Sequence, residues 1–278
     1  MKLLISRALA LIGFILPLPL LITLCRRFPK LAHMLDMKGD IIVTEANGLR
    51  YSINCRSNID RMLARGDYAK EFNPILSRYL KADCSAIDCG ANIGAAGVRM
   101  GARMQGKARL VVIEPGPPLV ERLRKNLDLN ASIKERTLVV NAGVGETPGE
   151  LYWNPDVANA GNANLLDSSG TRVPITTVDD IVAKNGIMNV GFIKIDVEGM
   201  ELDVIKGALR VIERDRPVLY YEASLGYEKR IGKKYVLEIE QFLSARGYKI
   251  GHWDKQFREI HYPDIRHNLL AVPAEKIN

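Results

Sequence analysis

From Ser85 onward the chain alternates short apolar runs with helical segments, and that alternation restricts it to few architectures. Ser85–Asp88, Arg109–Ile113 (RLVVI), Thr137–Asn141 (TLVVN), Gly191–Asp196 (GFIKID) and Pro217–Tyr221 (PVLYY) read as strands. Ile93–Met104 reads as a helix of small residues, and Pro118–Leu129 as an amphipathic one with Leu119, Leu123 and Leu127 on one side. Met200–Arg214 turns Leu202, Ile205, Leu209 and Ile212 inward. A helix at Tyr235–Ala245 and strands near Lys249–His252 and Asn268–Val272 close the chain. Strands alternating with helices imply parallel strands joined by crossovers, hence an α/β protein with a doubly wound, Rossmann-like sheet.

Ahead of the sheet, Asp40–Asn54 reads as a hairpin around Asn47-Gly48, followed by helical material over Asn58–Leu80. The expected organisation is therefore residues 1–38 as a separate apolar segment, 39–82 as a hairpin-and-helix module, and 83–278 as the sheet domain. Asn154–Arg172 is rich in Asn, Gly and Ser and without periodicity, which suits a mobile loop or a plain connection.

The formal net charge is +7, and its location matters more than its size. Residues 1–38 hold six Lys or Arg (Lys2, Arg7, Arg26, Arg27, Lys30 and Lys38) against Asp36 alone. The excess therefore flanks the uncharged run Ala8–Leu24, a membrane pattern, and leaves too little elsewhere for a nucleic-acid face. That run covers roughly 25 Å as a helix, short of a ~30 Å bilayer core unless it starts at Leu3 and Arg7 snorkels. Pro17 and Pro19 interrupt it. Thr23-Leu24-Cys25-Arg26 offers no small-residue cleavage site, so an anchor or re-entrant segment fits better than a cleaved signal. The four cysteines form no CxxC pair and lie at no ligand spacing from a His, so neither zinc nor another metal is expected.

The chemistry concentrates in Ile87-Asp88-Cys89-Gly90-Ala91-Asn92-Ile93-Gly94, which follows a strand and opens a helix. Gly90 would permit the sharp turn, Gly94 would let the helix approach the strand, and free N–H groups at the helix start would face a ligand. Asp88 at the strand tip would repel a pyrophosphate and suit a cation, while Asn92 offers a donor and an acceptor. Glu114 ends the second strand, where a carboxylate can accept from both ribose hydroxyls. Asn141 and Ala142 end the third, where an adenine edge would lie. S-adenosylmethionine, a nucleoside with a sulfonium, an ammonium and no phosphate, answers this description.

A second cluster is Lys194, Asp196 and Glu198 on one side of an otherwise apolar strand, with Glu222 expected at the neighbouring strand end. Any of the three carboxylates could take a proton from an alcohol. Equally, Lys194–Asp196 could be a buried structural pair with Glu198 capping the following helix.

These stretches resemble the FkbM-type methyltransferases. The similarity lies in IDCGANIG, VVIEPGP running on to KNLDLN, VVNAGVGE, and FIKIDVEGMELDVIKGA followed by RPVLYYE; NGLRYSIN and RGDYAKEF also resemble the region before that domain. The resemblance implies a class I methyltransferase sheet and O-methyl transfer from S-adenosylmethionine to a hydroxyl of a glycan, glycolipid or related natural product. It also implies that Asp88, Gly90 and Glu114 touch the cofactor. Because the donor is cytosolic, a membrane-held enzyme would face the cytoplasm. Two other readings are a membrane-tethered binding module without turnover and a nicotinamide-dependent oxidoreductase.

Overall fold

The computed structural model describes residues 40–54, 57–68, 70–156, 159–163, 170–223, 228, 234–262 and 268–277. The apolar run Ala8–Leu24 lies outside them; among the described residues no helix is long and apolar enough to cross a membrane.

The chain begins with a hairpin, β1 (Ile41–Thr44) and β2 (Arg50–Ile53), paired antiparallel around Asn47-Gly48 as the sequence anticipates. Helices α1 (Asn58–Arg65) and α2 (Phe72–Tyr79) follow. Ser57 caps α1 through a capping box, its hydroxyl accepting from Asp60 N at 3.1 Å while Ser57 N donates to the Asp60 carboxylate at 3.3 Å.

The sheet domain runs β3 (Ser85–Cys89), α3 (Ala95–Gly101), β4 (Leu110–Ile113), α4 (Pro117–Asp128), α5 (Ala131–Lys134), β5 (Thr137–Val140) and β6 (Gly143–Val144). Next come β7 (Gly149–Trp153), β8 (Pro155–Asp156), β9 (Asn159–Ala163), β10 (Thr171–Thr176) and α6 (Val178–Lys184). It finishes with β11 (Val190–Ile195), α7 (Glu201–Lys206), α8 (Leu209–Asp215), β12 (Val218–Glu222), α9 (Tyr235–Ser244), β13 (Tyr248–Asp254), β14 (Gln256–Glu259) and β15 (Asn268–Pro273).

Eight of these strands form one sheet in the order β14-β13-β15-β12-β11-β3-β4-β5. The five from β12 to β5 are parallel, and β15 enters antiparallel between β12 and β13. From β3 the chain winds outward to β4 and β5; from the adjacent β11 it winds the other way to β12. The switch point therefore lies between β3 and β11, and a crevice opens beyond their carboxyl ends.

Alternate strand residues feed two cores. Ala86, Leu110, Val112, Phe192 and Val218 pack with the hairpin and α1–α4. Ile87, Val111, Ile113, Ile193 and Leu219 pack with α6–α9 on the other face. Period 2 then puts Asp88 and Lys194 on the first face, where they are register partners across β3 and β11.

The hairpin is fastened by two amides, Asn126 on α4 and Asn130 between α4 and α5. Asn126 Oδ1 accepts from Ser52 N at 2.7 Å, and Asn130 exchanges bonds with both N and O of Arg50 at 3.1 and 2.7 Å. Asn126 Nδ2 also donates to Ile93 O at 2.7 Å, so the same side chain holds the glycine loop. Arg122 reaches the fully buried Asp60 at 2.6 Å and fixes α1.

Several sequence expectations are corrected. The helix at Ile93–Met104 is only Ala95–Gly101, because Asn92 and Gly94 both take left-handed conformations (φ 51° and 82°) and end the loop there. The helix at Met200–Arg214 breaks into α7 and α8 at Gly207, where the backbone packs so tightly on Gly145 that a Cβ would lie 2.0 Å from its carbonyl oxygen. Asn154–Arg172 is no plain loop: β8 pairs antiparallel with β9, and β10 pairs antiparallel with β7 and parallel with β6. Backbone pairing there overrides the poor strand propensity of Asn and Gly.

Candidate active site

A cavity of about 410 Å³ occupies the crevice at the switch point. Its floor is Gly90–Asn92 after β3, Ile113–Pro115 after β4, and Lys194 with Asp196–Glu198 at the end of β11. Leu151 and Trp153 of β7 form an apolar wall, and Ser57, Asn58, Ile59 and Tyr68 close the side toward the hairpin module. Glu222 and its register partner Asn268 complete it.

Gly90 is demanded by two constraints at once. Its φ is +76°, and a Cβ there would stand 1.9 Å from the carbonyl oxygen of Asp196. Its role is thus to let the ends of β3 and β11 meet. The close approach of helix to strand falls to Gly97, where a Cβ would be 2.8 Å from Val112 Cγ1, whereas Gly94 faces Leu123 of α4.

The loop's N–H groups are already engaged. Gly90 N and Ala91 N both donate to Ile113 O (3.0 and 2.9 Å), and Gly94 N donates to Ala91 O at 2.8 Å. Asn92 N donates to Glu114 Oε2 and Ile93 N to Asn92 Oδ1, each at 2.8 Å. The expectation of a row of free donors facing the ligand is therefore wrong; this loop is closed on itself and is no phosphate cradle.

Glu114 lines the cavity and is 4% exposed. Its two oxygens accept from Asn92 N and Gly116 N, both at 2.8 Å, leaving further lone pairs toward the cavity. Burial pushes its carboxyl up to about 7, against the pull of those two backbone donors. Asn141 stands outside the cavity lining and supports β4 from behind, its amide donating to the carbonyls of Glu114 and Pro115 at 2.9 Å. Ala142 is buried beside it and likewise does not line the cavity.

Asp88 is not where the sequence suggests. Its carboxylate is fully buried against α3 and absent from the lining; Lys194 Nζ supplies the counter-charge at 3.4 Å. Burial pushes the Asp88 carboxyl up, and Lys194 partly offsets this. Lys194 also donates to Asp196 Oδ2 at 3.2 Å. Burial opposes the charge on Lys194, but Asp196 and Asp88 outweigh it and hold the ammonium protonated.

At the mouth, carboxylate oxygens of Asp196, Glu198 and Glu222 lie within 4.8 Å of one another. Burial, then the charge and hydrogen bond of Asp196, push Glu222 up to about 8. Asp196, across the strand ends, thus favours the protonated form of Glu222. The turn before α7 is held by Glu201, whose Oε1 accepts from Val197 N and Gly199 N at 3.2 and 3.1 Å. Glu198 sits at φ +57°, a left-handed conformation unusual for a side-chain-bearing residue and one that collects at functional sites.

Of the residues singled out in the sequence, Gly90, Ala91, Asn92, Glu114, Asp196, Glu198 and Glu222 meet in one cavity, whereas Asp88, Gly94, Asn141 and Ala142 do not line it. Sequence reasoning missed Trp153, Tyr68, Asn58 and Asn268, which reach the cavity from outside the parallel strands.

A doubly wound sheet with an acid-lined crevice at its switch point defines a ligand-binding α/β domain. The family described as "Methyltransferase FkbM domain" matches residues 88–250, and the chain belongs to the FkbM methyltransferase family. It is similar to the hexuronic acid methyltransferase AglP of Haloferax volcanii, 26% identical over 128 residues that cover 45% of this chain and 50% of AglP. It is also similar to the 2-O-methyltransferase NoeI of Sinorhizobium fredii, 24% identical over 192 residues, 61% of this chain and 76% of NoeI. The solved methyltransferase FkbM of Methylobacillus flagellatus aligns over 78% of this chain and 56% of its own, at 20% identity and a TM-score of 0.47. The chain thus spans about half the length of AglP and of that solved structure.

Proposed function

We propose that the protein is an S-adenosylmethionine-dependent O-methyltransferase whose acceptor is a hydroxyl of a glycan or glycolipid, and that residues 1–38 hold it at a membrane with the sheet domain toward the cytoplasm. The carrying observation is the cavity itself: four carboxylates, Glu114, Asp196, Glu198 and Glu222, and an apolar wall around Trp153. Such a lining fits a cationic, phosphate-free nucleoside.

When bound, S-adenosylmethionine supplies an electrophilic methyl group on a sulfonium. The chain's own residues do the rest. Glu114 is placed to accept from ribose hydroxyls, and Leu151, Trp153 and Val144 offer an apolar slot for a base. Glu222, or Asp196 beside it, is placed to take the hydroxyl proton as the new C–O bond forms. Lys194 pins Asp196, so the pair is oriented before any ligand arrives. Support for a sugar-type acceptor comes from the names of AglP and NoeI. A nicotinamide-dependent activity is disfavoured because the loop donors from Gly90 to Gly94 are engaged within the protein and so are not offered to a diphosphate.

The test is calorimetry with S-adenosylmethionine against NAD, then transfer of labelled methyl into glycans and glycolipids extracted from cells lacking the protein. Binding of the first nucleoside alone and a labelled carbohydrate product are expected. Binding without transfer to any extract would favour a module without turnover. Removing residues 1–38 should move the protein from the membrane pellet to the supernatant.

A further inference from the structure

We infer that Glu201, buried at the start of α7, is a positioning residue for the reaction: it fixes the left-handed turn that presents Glu198 to the cavity, and it acts on turnover through Glu198. The inference rests on the methyl-transfer reading above and adds to it a residue outside the cavity lining.

Glu201 serves as a strut. It is 1% exposed, and its Oε1 accepts from Val197 N at 3.2 Å and from Gly199 N at 3.1 Å. Those two amides bracket Glu198 in the chain. Between them the backbone passes through φ +57° at Glu198 and φ +101° at Gly199, and the first of these is costly for a residue that carries a side chain. Without Glu201 both N–H groups lose their acceptor, and the turn loses the contacts that offset its strain. Burial pushes the Glu201 carboxyl up to about 7, against the pull of the Gly199 N–H, so near neutral pH a Gln side chain is a close stand-in for it.

Both ends of the arrangement are anchored. Gly207 packs the far end of α7 onto Gly145 with no room for a Cβ between them. On the sheet side, Asp196 N donates to Cys89 O at 3.0 Å, and Gly90 brings β3 against the Asp196 carbonyl. The stretch from Asp196 to Gly199 is thus clamped by β3 at one end and by Glu201 at the other. The clamp holds Glu198 in the cavity lining, with its carboxylate at the mouth beside those of Asp196 and Glu222. A turn that relaxed to the right-handed or extended region at residue 198 would swing that side chain off its present course. A displacement of about 1 Å in such a group costs on the order of a hundredfold in rate.

The test is a double-mutant cycle on the full chain: Glu201→Ala, Glu198→Ala and the two together. Calorimetry with S-adenosylmethionine reads the cofactor site. Labelled methyl transfer into a dilution series of glycan and glycolipid extract from cells lacking the protein separates apparent kcat from apparent KM. Glu201→Ala should leave S-adenosylmethionine affinity unchanged and lower kcat by about tenfold to a hundredfold. Added to Glu198→Ala it should lower kcat no further, and Glu201→Gln, which keeps an acceptor oxygen, should retain most of the parent rate. If circular dichroism shows that Glu201→Ala does not fold, Glu201→Asp, which withdraws the carboxyl by one methylene, takes its place in the cycle. Losses that multiply in the double variant, or a Glu201→Ala protein with the parent's kcat, would overturn the inference while the methyl-transfer reading stands. A parent protein that transfers no methyl to the extract overturns both.

Discussion

Lys194 and Asp88 face one another on adjacent parallel strands, Nζ 3.4 Å from Oδ1, with Asp88 fully buried and Lys194 8% exposed. An aspartate inside the glycine-rich motif is thus the counter-ion of a lysine inside the second motif. The two stretches that look separately functional are one electrostatic unit.

Breaking that unit should show first as lost stability. Asp88→Ala leaves Lys194 short of a counter-charge in the core, a change that typically costs about 3–5 kcal/mol. Replacing both residues by apolar ones of similar volume, Asp88→Leu with Lys194→Met, should recover much of the loss. Equilibrium denaturation of the three variants decides the matter. An Asp88→Ala protein as stable as the parent but unable to bind cofactor would restore the ligand role that the sequence suggests.

Glu114 should behave differently, because it touches the cavity. Glu114→Gln retains the shape, but exchanges a charged acceptor for an amide that can accept at one position only. It weakens the bonds from Asn92 N and Gly116 N and the bonds offered to a ribose. Charge-assisted hydrogen bonds contribute roughly 1.5–3 kcal/mol each, so cofactor affinity should drop at least about tenfold. Calorimetry reads this directly, with circular dichroism to show that the fold survives.

The protonation of Glu222 predicts two opposite pH trends. As a base it must be ionised, so turnover should climb as pH rises toward about 8 and level off above it. Stability should run the other way. A carboxyl raised from 4.5 to about 8 binds its proton more tightly in the folded state, so its contribution is full below the unfolded value and is lost as pH rises through about 8. Glu222→Gln should flatten both profiles. A turnover profile that is level from pH 6 to 9 (roughly, the window bracketing that value) would remove Glu222 as the base.

Gly90→Ala tests the backbone contact under the cavity. The methyl group would fall 1.9 Å from Asp196 O in a residue with φ +76°, so the ends of β3 and β11 must move apart. Strain at such a position, added to the forced shift, costs on the order of 2–4 kcal/mol, and the crevice between the strands should lose its ligand. Melting temperature and cofactor binding should fall together. Gly106→Ala is the control: it also has positive φ, but nothing lies within 4 Å of its Cβ.

The sheet was legible because apolar runs covered on both faces alternate with helical periods, and β3, β4, β5, β11 and β12 fall where that pattern puts them. The pairing of Lys194 with Asp196 also follows from period 2 along one strand. What stayed hidden depends on distance in sequence. That Asp88 turns toward Lys194 requires knowing that β3 and β11 are neighbours, a fact set by winding and not by either motif. Trp153 and Tyr68 reach the cavity from elements outside the parallel sheet. The pairing of β8 with β9 comes from backbone hydrogen bonding between residues of low strand propensity, which composition reads as loop. Trp153 carried a faint signal, being one of two tryptophans in the chain.

The amides of Asn126 and Asn130 grip β2 by its main chain and ignore its side chains. A mount of that kind tolerates substitution in the piece it holds. The segment carrying Ser57, Asn58 and Tyr68 can therefore diverge from one lineage to the next while still seating at the same angle above the donor floor. On the proposed function that segment borders the acceptor, and a chimaera that trades residues 41–79 for those of a relative tests whether acceptor choice moves with it.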